Sequence, residues 1–386
     1  MKCNCCESVE LVVLYEGDGE TSITTMNATI GGKTRVHYCQ ACGHAQTESI
    51  FELKSYYETV YELGRMDEED DQLYETLSHG NVFRAEHQAK IFLEKVKPKE
   101  GSRILDYGCG KSLTMSRLCQ VVDGFKPYLF DVSDRYLPIW TRFTEAERCF
   151  AGQIPQEFAD SFDAVSSFYA LEHIEALDEC LTAVRNVLID GGLFYFIVPN
   201  ILQNYADLIV ADHSNHFTLS SINALLSRNG FDDIQIDSES HNAAYIVTAR
   251  KSMKTRLALE ASYDVSTQVY DKLVSIGDFW AGQEEKLLSK ISKVTPNKRI
   301  GIYGAGFYGS FIAALTDGLD ARVDFFVDRN EHLHGSTING KKVISVAEAK
   351  NNVDVLLIGL SPTIAKDVME NIDELSATDV EYIYIE

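Results

Sequence analysis

No stretch of this 386-residue chain is apolar for anything near the roughly 20 residues that cross a bilayer. No N-terminal apolar run is long enough to read as a signal peptide. Positive charge is scarce as well: 35 Lys and Arg stand against 58 Asp and Glu, a formal net charge of −23. Nucleic-acid backbones are bound by clustered Lys and Arg, so the deficit argues against that partner class. Its ordinary use is to keep a protein soluble. Short-period repeats and low-complexity tracts are also missing, and the length suits two or three domains, each with its own core. Nine cysteines without a secretion signal imply reduced thiols or metal ligands in place of disulfides. The expectation is a cytoplasmic protein with no membrane partner.

The texture of the chain then divides it. Five of the nine cysteines fall in the first 50 residues, among β-rich text such as "LVVLY" and a turn at Gly31-Gly32. This reads as a β module over 1–55. A tyrosine-rich stretch, "SYYETVY", and an acidic run, "MDEEDDQ", follow and read as a solvated helical linker over 56–100. From Arg103 strands and helices alternate ("RILDYG", "KPYLFDVS", "FDAVSSFYA", "GGLFYFIVPN"), the rhythm of a parallel sheet with crossover helices over 101–250. A helical connector occupies 251–297. A second strand–glycine loop–helix unit opens at "KRIGIYGAGFYGSFIAAL" and fills 298–386. The fold class is α/β: a β module, a central Rossmann-like sheet, a connector and a smaller Rossmann-like domain.

Three local patterns carry chemistry. In "ILDYGCGKSLTMSRL" the run Gly110-Lys111-Ser112 imitates the end of a P-loop, but the glycine required five residues earlier is Leu105. The better reading is Asp106-x-Gly108-x-Gly110, in which glycines let backbone approach a bulky ligand and a carboxylate can meet a positive one. Asp131 ends the next strand, 25 residues after Asp106, where an acid can take both ribose hydroxyls of an adenosine. Cys3-x-x-Cys6 and Cys39-x-x-Cys42 are zinc-knuckle pairs, each able to bring two thiolates to one tetrahedral ion. Cys5 is surplus and competes with Cys6. Finally, Gly304-Ala-Gly306-Phe-Tyr-Gly309 lies between a strand and a helix, and Asp328 closes the next strand. Alone this pattern says NAD, but no hydride-transfer domain follows, which favours another nucleotide.

The central segment resembles a class I S-adenosylmethionine-dependent methyltransferase. Asp106, Gly108 and Gly110 match that family's first motif, Asp131 its ribose acid, "LEHI" its fourth-strand motif and "VLIDGGLFYFIVPN" its fifth. The resemblance implies S-adenosylmethionine held by Asp106, Tyr107, Gly108, Cys109, Gly110, Asp131, Val132, Phe168 and His173. Ser112 stands where the family often has a glycine.

The order of the four parts resembles the sugar C-methyltransferases, which methylate 4-keto deoxysugars attached to a nucleoside diphosphate. The matching positions are the four cysteines, the Asp106–Gly110 loop, "LEHI", His216-Phe217, and the last glycine loop with "VDRNEHLHGSTINGKKVI". That likeness implies one zinc on Cys3, Cys6, Cys39 and Cys42, and a nucleotide sugar held at Gly304, Gly306, Gly309 and Asp328. It also implies His216 as base with Tyr57 or Tyr61 assisting; the segment "DHSNHFT" by itself offers His213 as a second candidate. Asn215 replaces the family's glutamate before the histidine, and is expected to orient the imidazole without supplying charge. Two alternatives stay open: O-methylation of a polysaccharide or natural-product precursor, and a non-catalytic nucleotide-binding scaffold. The oligomeric state is not readable.

Overall fold

The computed structural model describes residues 1–17, 21–50, 71–77, 80–253, 266–317, 323–376 and 379–385. The N-terminal module contains β1 (Leu11–Glu16), β2 (Thr21–Ile23), β3 (Thr29–Gly31), β4 (Arg35–Cys39) and β5 (Ala45–Thr47). Strands β2 and β3 form a small hairpin between the two cysteine pairs. A second hairpin follows, β6 (Leu73–Leu77) with β7 (Gly80–Phe83). It runs into the helix Arg84–Val96, whose Ala89, Ile91 and Phe92 are buried in the core of the central unit. The linker expected over 56–100 is therefore corrected: its described part is a hairpin and a core helix. Residues 51–70, with Tyr57 and Tyr61, lie outside the described residues.

The central sheet is built from β8 (Ile104–Tyr107), β9 (Tyr128–Asp131), β10 (Cys149–Ala151), β11 (Phe162–Phe168), β12 (Leu188–Pro199), β14 (Phe231–Asp237) and β15 (Ala244–Lys251). Its order is β10-β9-β8-β11-β12-β15-β14, with β15 antiparallel to both neighbours. The strands read as nearly continuous apolar runs because helices cover both faces. Helix Leu177–Val187 shows how: it buries Leu177, Cys180, Leu181, Val184 and Val187, one stripe at helical spacing. Each large apolar side chain buried this way contributes about 1.5–3 kcal/mol. The strand order reverses between β8 and β11, the place where open α/β sheets bind ligands beyond their carboxyl ends.

After β12 the chain leaves the sheet, makes a 3₁₀ turn at Tyr205–Ile209 and continues into β13 (Asn215–His216). Strand β13 does not join the central sheet. It pairs with β5, giving a four-stranded sheet β1-β4-β5-β13 shared by two segments far apart in sequence. One apolar core runs from Cys3, Cys39 and Cys42 through Leu171 and Phe217 to Leu225. A second joins Val36, Tyr38 and Leu208 to the connector helices Thr267–Trp280 and Gln283–Ile291 and to Ile300, Tyr308 and Phe326.

The last unit comprises β16 (Ile300–Tyr303), β17 (Val323–Val327), β18 (Thr337–Ile338), β19 (Lys341–Ile344), β20 (Val355–Ile358) and β21 (Glu381–Tyr384). Their order is β18-β19-β17-β16-β20-β21, parallel but for β18. Among the described residues no helix is long and apolar enough to cross a membrane.

Candidate functional site

Strand β8 delivers Asp106, 1% exposed, to the start of the glycine loop. Its carboxylate accepts hydrogen bonds from Ser112 Oγ (2.7 Å) and Ser166 Oγ (3.0 Å). Ser112 sits in the left-handed region at φ 54°. The hydroxyl that distinguishes it from glycine is the group bound to Asp106. Gly108 has φ +67°, and a Cβ there would lie 2.9 Å from that of Ala170. Asp131 closes the loop from the other side: its Oδ2 accepts Gly110 N–H at 2.8 Å and its Oδ1 accepts Ser133 N–H at 3.0 Å. Trp140 Nε1 donates to Gly110 O at 2.7 Å. Burial pushes Asp106 up to about 7, with the two serine hydroxyls opposing it. Burial also raises Asp131, against the Ser133 and Gly110 amides. Two partly desolvated carboxylates at a glycine loop favour a cationic ligand. Among the other expected donor residues, Tyr107 packs on Phe130 (ring centroids 4.8 Å), Cys109 and Phe168 pack against a buried cluster, and Val132 is exposed.

The excursion after β12 builds a second constellation. Asp207 is fully buried and shared by two imidazoles: Oδ1 accepts from His213 Nδ1 at 2.6 Å and Oδ2 from His216 Nδ1 at 2.8 Å. His216 is itself 0% exposed, and its Nε2 meets Thr47 Oγ1 of β5 at 2.8 Å. With Nδ1–H facing the carboxylate, Nε2 is the accepting nitrogen and Thr47 donates. His173 lies in the same cluster, its ring 4.6 Å from that of His213 and its Nδ1 3.0 Å from the Asp212 carbonyl oxygen. Beside them Glu172 is 1% exposed, and its Oε2 has no hydrogen-bond partner among the described residues. Burial raises Glu172 to about 8, with the charge of His213 opposing. Burial and then the charge of His213 lower His173 to about 4. For His213 burial acts downward, but the hydrogen bond and charge of Asp207, with Glu172 and Asp212, outweigh it and raise the ring to about 9. Burial likewise acts against Asp207, and the two histidines overcome it, holding the carboxyl well below its usual range.

Asn215 does not orient His216, which corrects the role expected for it. Successive residues of a strand face opposite sides. Asn215 Oδ1 takes Asn4 Nδ2 at 2.9 Å and His44 Nε2 at 3.2 Å, while its amide donates to the carbonyls of Leu171 (2.9 Å) and Ile174 (2.7 Å). The carboxylate that meets His216 is Asp207. Downstream, Thr218 caps the helix Leu219–Arg228 and also donates to Gly43 O, and Ser220 donates to Cys42 O. The histidine segment is thus fastened to the cysteine module on both sides.

One ligand atom from each of Cys3, Cys6, Cys39 and Cys42 lies within 4.8 Å of the others. The Cys3–Cys42 and Cys6–Cys39 sulfur pairs are 3.6 Å apart. That is too long for a disulfide and close to the ~3.8 Å edge of a tetrahedron with metal–sulfur bonds of about 2.3 Å. The four thiols fit zinc. Cys5, fully buried, is not one of the four.

Residues 82–236 match the family model described as "Methyltransferase domain". The matched segment takes in most of the central unit and less than half of the chain. Human mitochondrial ubiquinone biosynthesis O-methyltransferase is 30% identical over 115 residues, and its mouse counterpart 28% identical over 115 residues. Each alignment covers 28% of this chain and 31% of the relative, so the chain spans about a third of the length of these relatives. Among solved structures, a SAM-dependent methyltransferase from Archaeoglobus fulgidus is 16% identical, covering 43% of this chain and 94% of that one with a TM-score of 0.36. Another, from Mesorhizobium loti, is 19% identical, with 42% and 97% covered and a TM-score of 0.33.

Beyond the matched segment, the last glycine loop repeats the geometry of the first. Ala305 N donates to Asp328 Oδ2 at 2.7 Å and Asn330 N to Asp328 Oδ1 at 2.8 Å, as Gly110 and Ser133 do to Asp131. Gly309 is obligatory there, since a Cβ would lie 1.9 Å from Gly304 O. Sequence reading missed Thr47, Ser166, Glu172 and Asp207. Glu172 alone had a local signal, its place in "LEHI".

Proposed function

We propose that the protein transfers the methyl group of S-adenosylmethionine to a nucleotide-activated deoxysugar, at a carbon next to a ketone. The observation that carries this reading is the buried Asp207 carboxylate clamping His213 and His216 on the segment that follows β12. When bound, S-adenosylmethionine supplies an electrophilic methyl on a sulfonium. Asp131 keeps lone pairs for the ribose hydroxyls after accepting its two backbone N–H groups. Asp106, close to the loop, favours the positive charge.

Deprotonation of the acceptor falls to the histidine cluster. Asp207 fixes His216 as the Nδ1–H tautomer, so Nε2 receives the proton. Thr47 relays it, giving its hydroxyl hydrogen to Nε2 as it takes one from the acceptor. Positioned proton transfer of this kind typically contributes 10²–10⁴-fold. The Asp328 loop takes the nucleotide of the acceptor, which its match to the Asp131 loop supports, and Cys3, Cys6, Cys39 and Cys42 hold one structural zinc.

The test is incubation of purified protein with S-adenosylmethionine and a panel of nucleotide-linked keto-deoxysugars, read by mass spectrometry. One added methyl on a nucleotide sugar is expected. In deuterated water without donor, the carbon next to the ketone should exchange its hydrogen. Thr47→Val should slow that exchange by about 10²-fold or more, and Thr47→Ser should restore it. Donor binding with no methylated nucleotide sugar would overturn the substrate class.

A further inference from the structure

We propose that Glu172, His173 and His213 form a second metal site, for one first-row divalent cation such as Mn²⁺, Fe²⁺ or Co²⁺, distinct from the four-cysteine site. One ligand atom from each of these side chains lies within 4.8 Å of the other two. The independent sign is Glu172 Oε2, which is buried and without a hydrogen-bond partner among the described residues. An orphaned carboxylate oxygen in the interior is costly unless a ligand completes it.

The contacts behind the two imidazoles are arranged as metal sites require. Asp207 accepts from His213 Nδ1 at 2.6 Å, which leaves Nε2 of that ring as the donor atom. His173 has its Nδ1 against the Asp212 carbonyl oxygen at 3.0 Å, with the Asp212 carboxylate 3.7 Å away. Metal-bound histidines almost always hold their other nitrogen against a carboxylate or a carbonyl. The neighbouring trio Asp207, His213 and His216 is a poorer choice. There both carboxylate oxygens already accept imidazole Nδ1–H groups, whereas Glu172 Oε2 has no such partner among the described residues.

Two imidazoles and one carboxylate suit borderline transition metals, and they leave coordination positions open for an acceptor oxygen. The four thiolates, by contrast, close a tetrahedron. The role of this site rests on the methyl-transfer reading above: the cation polarises the ketone oxygen while His216 and Thr47 handle the proton. Labour is then divided, with His213 facing the metal and His216 the proton.

The 386-residue protein carrying one tightly held zinc would be titrated with MnCl₂ and followed by loss of the free Mn²⁺ EPR signal, with zinc content measured in parallel. One saturable Mn²⁺ per chain is expected, with zinc unchanged at one per chain. Glu172→Gln, nearly isosteric, and His213→Gln should each weaken Mn²⁺ binding by at least about 10²-fold. Asp207→Asn, acting through His213, should weaken it about 10–100-fold. No saturable Mn²⁺, Co²⁺ or Zn²⁺ beyond the first zinc in the parent protein would overturn the site. So would a Glu172→Gln variant that binds as the parent does. Because the readout is metal occupancy, a failed methylation assay and a failed metal site remain distinguishable.

Discussion

Replacing Asp131 by alanine should separate its two duties, to the loop and to the donor. The carboxylate already accepts Gly110 N–H at 2.8 Å and Ser133 N–H at 3.0 Å. A carboxylate offers about four acceptor sites, so two remain for the ribose hydroxyls. Hydrogen bonds to a charged group contribute about 1.5–3 kcal/mol each, so losing two costs about 3–6 kcal/mol. That corresponds to about 10²–10⁴-fold in donor affinity. Part of the loss would come from the freed glycine loop, and a cycle with the ligand isolates the rest. S-adenosylhomocysteine and its 2′-deoxy analogue would be titrated by calorimetry into parent and variant. Deleting the hydroxyl should weaken binding to the parent about 10-fold or more and barely affect Asp131→Ala. Equal losses in both proteins, or unchanged affinity in the variant, would refute the assignment of Asp131 to the ribose.

Chelation of the four-cysteine zinc should release the module and, through β5 and β13, unfasten His216; structural zinc carries about 10–16 kcal/mol of apparent binding energy. Metal analysis with near-UV circular dichroism would show whether zinc loss and tertiary change coincide. Asp106 has a folded-state pKa raised to about 7 from 3.8, so the folded state holds its proton more tightly than the unfolded one. Stability should therefore fall as pH rises from about 4 to about 7, by a few kcal/mol at most, and Asp106→Asn should remove that slope in denaturant titrations. In the same window the parent should gain affinity for S-adenosylmethionine relative to S-adenosylhomocysteine, which lacks the sulfonium charge. At the second glycine loop, Gly309→Ala must displace Gly304 backbone, and fluorescence titration should show nucleoside diphosphate binding reduced about 10-fold or more. Saturable NAD binding that no nucleotide sugar competes with would count against that site's proposed ligand.

Sequence alone determined what is local. The Asp106–Gly110 loop, Asp131 and the Gly304–Gly309 loop could be read because strand, tight turn and helix start are consecutive, and only glycine fits the closest turns. The cysteine pairs were legible for the same reason, each pair being one turn of chain. What the alternation of strands and helices did not reveal was the hairpin before Arg84, which follows directly on the acidic run. Tertiary structure alone decided how the histidines are used. Asp207 and His216 share the excursion after β12, and Thr47, from a distant segment, joins them because β13 pairs with β5 and not with the central sheet. Asn215, adjacent to His216 in sequence, faces away from it because strand side chains alternate. A buried polar group needs a partner, but nothing in its own neighbourhood of the chain says which distant residue will supply it.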